Sequence, residues 1–230
     1  LIPKFRVDFC LMILAIDTAT DWLGLALHDG ATVLAEFGWR SRRTQTVELA
    51  PAVAQLWSRT GVAPSDLSAV AVAIGPGSYT GLRVGLALAK GIALAQKLPL
   101  VGVPTLDIVA AAVCRLETDL VVVAEAGRTR LWAGQYQWAV KRGWEGIGEP
   151  MLTTWDELAT RLQLPVAFAG EIDAAAAKLL RRSNRSAIIA PPAESVRRAA
   201  TLAEIGWQRW KRKQTDDANT LAPLYLREPG

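Results

Sequence analysis

The sequence predicts an α/β protein built of two lobes, the second repeating the element order of the first in weaker form. Two observations lead there. Strand-like apolar runs alternate with helix-period runs along the 230 residues. A strand-rich stretch opens the chain near residue 12, and another restarts the pattern near residue 119, as expected of a duplication. With 51% apolar and 21% charged residues the composition is ordinary for a globular chain, and two lobes of roughly 100 residues each have adequate cores.

The first lobe is placed at residues 12–115. "MILAID" (12–17), "WLGLALHDG" (22–30) and "ATVLAEFGW" (31–39) form a strand meander, with Asp29-Gly30 as a hairpin signal. In "TVELAPAVAQLWSRT" (46–60), Val47, Ala50, Val53, Ala54, Leu56 and Trp57 recur at helical spacing, with Pro51 tolerated near the first turn. "SAVAVAI" (68–74) is wholly apolar, as in a strand covered on both faces. A glycine-rich loop and helix follow, then the strand "PLVGV" (99–103) and a helix from "PTLDIVAAAV". The second lobe, 116–230, opens with the strands "DLVVVAEA" (119–126) and "RTRLWAGQYQW" (128–138). After the Gly- and Trp-containing stretch 141–150 come a helix over "TTWDELATRLQ", the strand "VAFAG", a helix over "EIDAAAAKLLRRS" and the strand "AIIA". One last helix is expected across "AESVRRAATLAEIGWQRWKRK".

Several chemistries are excluded early. The single histidine, His28, cannot supply a two-imidazole metal site, and its place before Asp29-Gly30 suits a structural role beside a turn. Cys10 and Cys114 alone imply no disulfide framework, so a reducing, cytoplasmic setting is expected. The formal charge of +4 is mildly basic and compatible with nucleic acid or an acidic partner. No run of 18 apolar residues lacks Arg, Lys or Pro, so no membrane span is expected. Residues 1–11 are read as an extension preceding the first clean strand.

"AIGPGSYTGLRVGLALAKGIALAQ" (73–96) resembles a phosphate loop feeding a helix, but Gly75, Gly77 and Gly81 match neither the Walker nor the dinucleotide spacing. Two readings remain: backbone N–H groups aimed at an anion, or a tight turn with Ser78 as helix N-cap. Asp17, ending the first strand in "AIDTAT", is either a phosphate- or water-orienting carboxylate or a strand-end turn residue. Each interior glycine costs a helix about 1 kcal/mol. Gly81, Gly85, Ala89 and Ala93 nevertheless fall at i, i+4, i+8 and i+12, a stripe along which another backbone can approach, while Arg83, Lys90 and Lys97 form a basic stripe elsewhere. The helix is built for packing.

"ILAIDTAT", "GPGSYTGLRVGLALAKGIAL", "GVPTLDIVA" and the terminal "PLYLR" (223–227), in this order, resemble the TsaB family, the dimerisation subunits of the bacterial machinery that makes threonylcarbamoyladenosine in tRNA. The resemblance is strong over residues 12–112. It implies two lobes of the actin-like ATPase (ribonuclease H-like) superfamily, the second degenerate, and a non-catalytic scaffold without metal or cofactor. The implied partners are the transferase subunit TsaD, the ATPase TsaE and, through the complex, tRNA. Self-association of the isolated chain through the same helices stays open. Asp17, Thr18, Gly75, Gly77 and Ser78 would form a vestigial nucleotide loop. Helices 46–60 and 79–97 would form the partner surface, with Leu49, Val53, Leu56, Leu82, Arg83, Leu86, Ala89 and Lys90 as contacts. Two departures stand out: Gln45 replaces a histidine usual in relatives, and Glu125-Ala126-Gly127-Arg128 shifts an arginine by one residue.

Two alternatives are weighed beside the scaffold. One is an actin-fold nucleotide-binding enzyme or protease remnant using Asp17 and the Gly75–Ser78 loop. The other is a tRNA-binding module using Arg197, Arg198, Arg209, Lys211, Arg212, Lys213 and "RRSNR" (181–185), cations that otherwise belong to solvated faces. Most of the nine tryptophans are expected in cores or between lobes.

Overall fold

The computed structural model describes residues 11–41, 44–127, 129–161 and 165–224. The expected extension (bar Leu11), Cys10, Arg128 and the last three residues of "PLYLR" lie outside them.

Strands β1 (Met12–Asp17), β2 (Trp22–His28) and β3 (Val33–Arg40) form the antiparallel meander. Helix α1 (Gln45–Thr60) leads to β4 (Leu67–Gly75), α2 (Tyr79–Gln96), β5 (Leu100–Pro104) and α3 (Thr105–Ala112). Pro51 sits in the second turn of α1 rather than the first, on an exposed face. The sheet order is β3-β2-β1-β4-β5, with β1, β4 and β5 parallel.

The second sheet repeats this plan. Its strands are β6 (Asp119–Gly127), β7 (Arg130–Ala139), β8 (Gly143–Thr154), β9 (Val166–Gly170) and β10 (Ile188–Ile189), in the order β8-β7-β6-β9-β10. Here too a three-strand antiparallel meander is followed by two parallel strands. Two lobes of one topology establish the duplicated actin-like, ribonuclease H-like architecture. Helices α4 (Trp155–Arg161) and α5 (Ala174–Ser183) complete the second lobe. Strand β8 carries no strand signal in the sequence: it is mostly half-buried, exposed at 146–149, and carries Gly143, Gly146, Gly148 and Pro150, so it lacks the apolar alternation that marks a strand.

The last helix is broken in two. A short α6 (Pro192–Ser195) stops before Val196–Arg198, and α7 (Ala199–Lys211) begins afterwards. The break carries Arg197 inward, to only 3% exposure. α7 then crosses back to cover the first sheet, so the division at 115/116 does not separate the lobes. Ala199, Leu202 and Ala203 pack with Ile13, Ala15, Ala71 and Val101 on one face of that sheet. The opposite face (Leu14, Ile16, Leu25, Val70, Val72) is covered by α1 and α2. Odd positions of β4 (Ala69, Ala71, Ala73) face α7 and even ones (Val70, Val72, Ile74) face α1 and α2. That small-versus-large alternation lets α7 lie close: a Cβ on Gly206 would come within 2.5 Å of the Ala71 methyl.

Candidate functional site

The Gly75–Ser78 turn is closed onto the end of β1. The Ser78 N–H donates to the Ala19 carbonyl (2.6 Å), Ser78 Oγ accepts from the Gly81 N–H (3.3 Å), and the Leu82 N–H donates to the Ser78 carbonyl (2.9 Å). Ser78 is therefore an N-cap, and these donors are spent within the protein. Thr18 Oγ1 donates to the Gly81 carbonyl at 2.7 Å. Added Cβ atoms would lie 2.2 Å from the Ala19 carbonyl oxygen at Gly77 and 2.2 Å from Thr18 Oγ1 at Gly85. Gly77 and Gly81 admit the chain's own Thr18–Ala19 backbone and Gly85 the Thr18 side chain, not a phosphate. Gly75, at φ +112°, also lies against the Leu224 carbonyl, whose residue donates its N–H to the Ile74 carbonyl (2.7 Å). "GPGS" and the start of "PLYLR" thus meet in space.

Asp17 is fully buried, and the Arg197 guanidinium meets its carboxylate there. Arg197 Nε donates to Asp17 Oδ2 (2.9 Å), Nη1 to Glu171 Oε1 (2.8 Å), and Nη2 to Thr20 Oγ1 (2.6 Å) and the Trp22 carbonyl (3.1 Å). Asp17 Oδ1 accepts from the Ala19 N–H, and Glu171 Oε2 from the Glu125 N–H. Thr20 also bonds Glu171 directly. One guanidinium therefore clasps β1, the turn after it and the residue following β9. Burial alone would lower the Arg197 pKa, but the Asp17 and Glu171 charges raise it. Burial would raise the Glu171 carboxyl, and Arg197 with its hydrogen-bond donors holds it below the usual range. Beside the clasp a cleft of about 650 Å³ is lined by Arg40, Glu125, Asp173 and Arg181. Burial there, together with the Glu171 and Asp21 charges, pushes Glu125 up.

Of the eight residues expected at a partner surface, Leu49, Val53, Leu56, Leu82, Leu86 and Ala89 are core, none more than 5% exposed. Their side chains pack inside the protein, so these six do not form the expected partner surface. Arg83 is exposed and lies over the Tyr79 ring at 3.8 Å, while the partly exposed Lys90 donates to the Asn219 carbonyl. The outward face of α1 and α2 is nonetheless apolar. It carries Val47 (67% exposed), Ala50, Pro51 and Ala54 from α1, and Ala87, Gly91, Leu94 (54%) and Ala95 from α2. The small stripe facing outward is Ala87–Gly91–Ala95, and a Cβ on Gly91 would meet no other atom within 4 Å.

The basic residues divide as well. Arg197 is internal, Arg198 pairs with Glu36, and Arg209 donates to the Gly102 carbonyl (2.8 Å) beside Asp107. Lys211, Arg212, Lys213, Arg182 and Arg185 remain exposed. His28 is structural: Nδ1 accepts from the Gly30 N–H, so Nε2 carries the proton facing Glu204 at 2.9 Å. Gln45 opens α1 in the core. None of the nine tryptophans is exposed. Glu171 and Thr20 carry no site signal in the sequence and Arg197 reads there as one of a group of surface cations, because Arg197 lies 180 residues from Asp17 and 26 from Glu171. No local spacing marks that pairing. No helix among the described residues is long and apolar enough to cross a membrane.

Residues 40–230 match the family described as TsaD, tRNA N6-adenosine threonylcarbamoyltransferase. The chain is 33% identical over 222 residues to the tRNA threonylcarbamoyladenosine biosynthesis protein TsaB of Bacillus subtilis, covering 94% of each chain. YeaZ from Pseudomonas aeruginosa superposes with a TM-score of 0.78 at 23% identity, over 94% of this chain and all of that one. The ethanolamine utilization protein EutJ of Carboxydothermus hydrogenoformans shares the fold more distantly, with a TM-score of 0.51 at 14% identity over 85% of this chain and 90% of its own. With the duplicated lobes, the TsaD-family match and the relationship to TsaB along nearly its whole length, the chain belongs to the TsaB family of tRNA threonylcarbamoyladenosine biosynthesis proteins.

Proposed function

We propose that this chain is a non-catalytic scaffold in the cytoplasmic synthesis of threonylcarbamoyladenosine, binding and activating the TsaD-type transferase that modifies the adenosine next to the tRNA anticodon. The observation that carries the reading is the Arg197 clasp. The carboxylate best placed to orient a nucleotide or metal-bound water, Asp17, is committed to an internal arginine, and the phosphate-loop donors at Ser78, Gly81 and Leu82 are committed to protein acceptors. The protein's remaining asset is a surface. The exposed apolar face of α1 and α2, with small residues that permit close helix approach and Arg83 at its rim, suits helix-on-helix packing against the transferase, with TsaE joining the assembly.

Size-exclusion chromatography with light scattering, with and without the transferase subunit of the same organism, tests this. A one-to-one complex is expected. Leu94→Glu, on an exposed position, is expected to abolish that complex while leaving the melting temperature within about 2 °C of the parent, since surface changes usually cost under ~0.5 kcal/mol. Two unshifted peaks with the parent chain would sink the scaffold reading. A full complex with Leu94→Glu would move the interface elsewhere.

A further inference from the structure

Four cations line a second cleft, of about 580 Å³, between the β7–β8 turn and the end of α7. Lys141 and Arg142 reach it from the turn, Arg209 from α7 and Arg212 from the cap that follows it. Arg142 pairs with Glu145 at 2.9 Å, and Arg209 lies 3.5 Å from Asp107, which also accepts from the Tyr136 hydroxyl. Among the described residues, Lys141 and Arg212 have no carboxylate within ion-pair distance. Lys211 and Lys213, either side of Arg212 in the chain, are exposed but do not line the cleft.

We propose that this cleft holds the phosphate backbone of a structured RNA, an inference resting on the reading that the chain works in tRNA modification. Long, exposed cations with free donors are the usual phosphate-positioning groups. A protein partner of comparable size would ask for an apolar centre. Here the lining is charged or polar apart from Gly146 and Trp144, whose Nε1 already donates to the Val113 carbonyl. Placement favours the same conclusion. α7 covers the sheet face opposite to α1 and α2, so RNA at the end of α7 would not compete with a transferase docked on those helices.

The test uses the complex of this chain with its transferase subunit and an unmodified tRNA transcript, with affinity followed by fluorescence anisotropy from 50 to 200 mM salt. The variant is Lys141→Ala/Arg212→Ala. The control, Arg182→Ala/Arg185→Ala, removes two exposed charges from α5 and the turn after it. The cleft variant should assemble normally, bind tRNA about tenfold more weakly at 0.1 M salt, and show a log K against log salt slope shallower by about 1.5, the counterions of two phosphate contacts. The control should match the parent. Parental affinity and slope in the cleft variant would overturn the assignment. So would an equal loss in the control, or a loss of assembly with tRNA affinity intact, which would make the cleft a protein contact. If the parent chain does not join the transferase at all, the scaffold reading fails separately. The same titration on the chain alone then decides the cleft: salt-dependent binding lost in the variant supports it, and no binding overturns it.

Discussion

Arg197 brings one positive charge to two carboxylates, one of them fully buried, and four of its donor contacts are made inside the protein. Removing one member of such a cluster strands the others. Arg197→Met should cost about 3–5 kcal/mol, the typical penalty for an uncompensated buried ion, read as a lower midpoint in denaturant titration. A loss below ~1 kcal/mol would mean that the clasp is not integral. The cluster also has a pH signature. Glu171 is held below its ordinary 4.5 in the folded chain, so the folded state binds this proton less readily than the unfolded one. Its contribution is complete above the ordinary value and is lost as pH falls through 4.5 toward the lowered folded pKa. Melting temperatures measured from pH 6 to pH 3.5 should therefore fall less steeply for Glu171→Gln than for the parent, and parallel curves would remove Glu171 from the acid limb.

At the scale of the element, α2 separates what sequence can specify from what it cannot. The spacing of Gly81, Gly85, Ala89 and Ala93 correctly marks a face built for close approach, yet what approaches Gly81 and Gly85 is the chain's own Thr18, by its carbonyl and its hydroxyl. Periodicity gives a helix its faces but not its phase relative to the sheet beneath, so a stripe aimed inward and one aimed outward look alike in sequence. The strands were more legible. β1, β4, β9 and the cap at Ser78 follow from apolar runs and cap chemistry, because those signals are local. The two glycine classes predict opposite signs. Gly85→Ala would set a methyl 2.2 Å from Thr18 Oγ1, and overpacking of about 1–3 kcal/mol should outweigh the ~1 kcal/mol gain in helix propensity. Gly91→Ala meets open space and should stabilise the isolated chain by up to ~1 kcal/mol. Thermal melts of the pair decide whether the inward stripe is assigned correctly, and equal shifts of one sign would contradict it.

At the scale of the molecule, the first lobe is not finished by the first half of the chain. β1 to α3 make a five-stranded sheet with helices α1 and α2 on one face, but much of the other face is covered by α7, from beyond residue 198. The chain then returns along the parallel edge. The Asp216 N–H donates to the Leu100 carbonyl, its Oδ2 accepts from the Gly102 N–H, and Leu224 bonds Ile74. A fragment spanning 12–115 would leave much of the face carrying Ile13, Val101 and Val103 open to water, along with the backbone groups of β5 that Asp216 satisfies. Each fully buried aliphatic side chain is worth about 1.5–3 kcal/mol, and a domain's whole stability is about 5–15 kcal/mol, so several such losses remove most of it. The fragment should therefore show strand and helix signal in the far ultraviolet but bind a hydrophobic dye and lack a cooperative unfolding transition. Joining residues 192–224 to it through a flexible linker should restore cooperativity, because α7 and the 216–224 segment bring the missing cover. A fragment 12–115 that unfolds cooperatively alone would show that α7 is an accessory, and would restore the division of the lobes at residue 115.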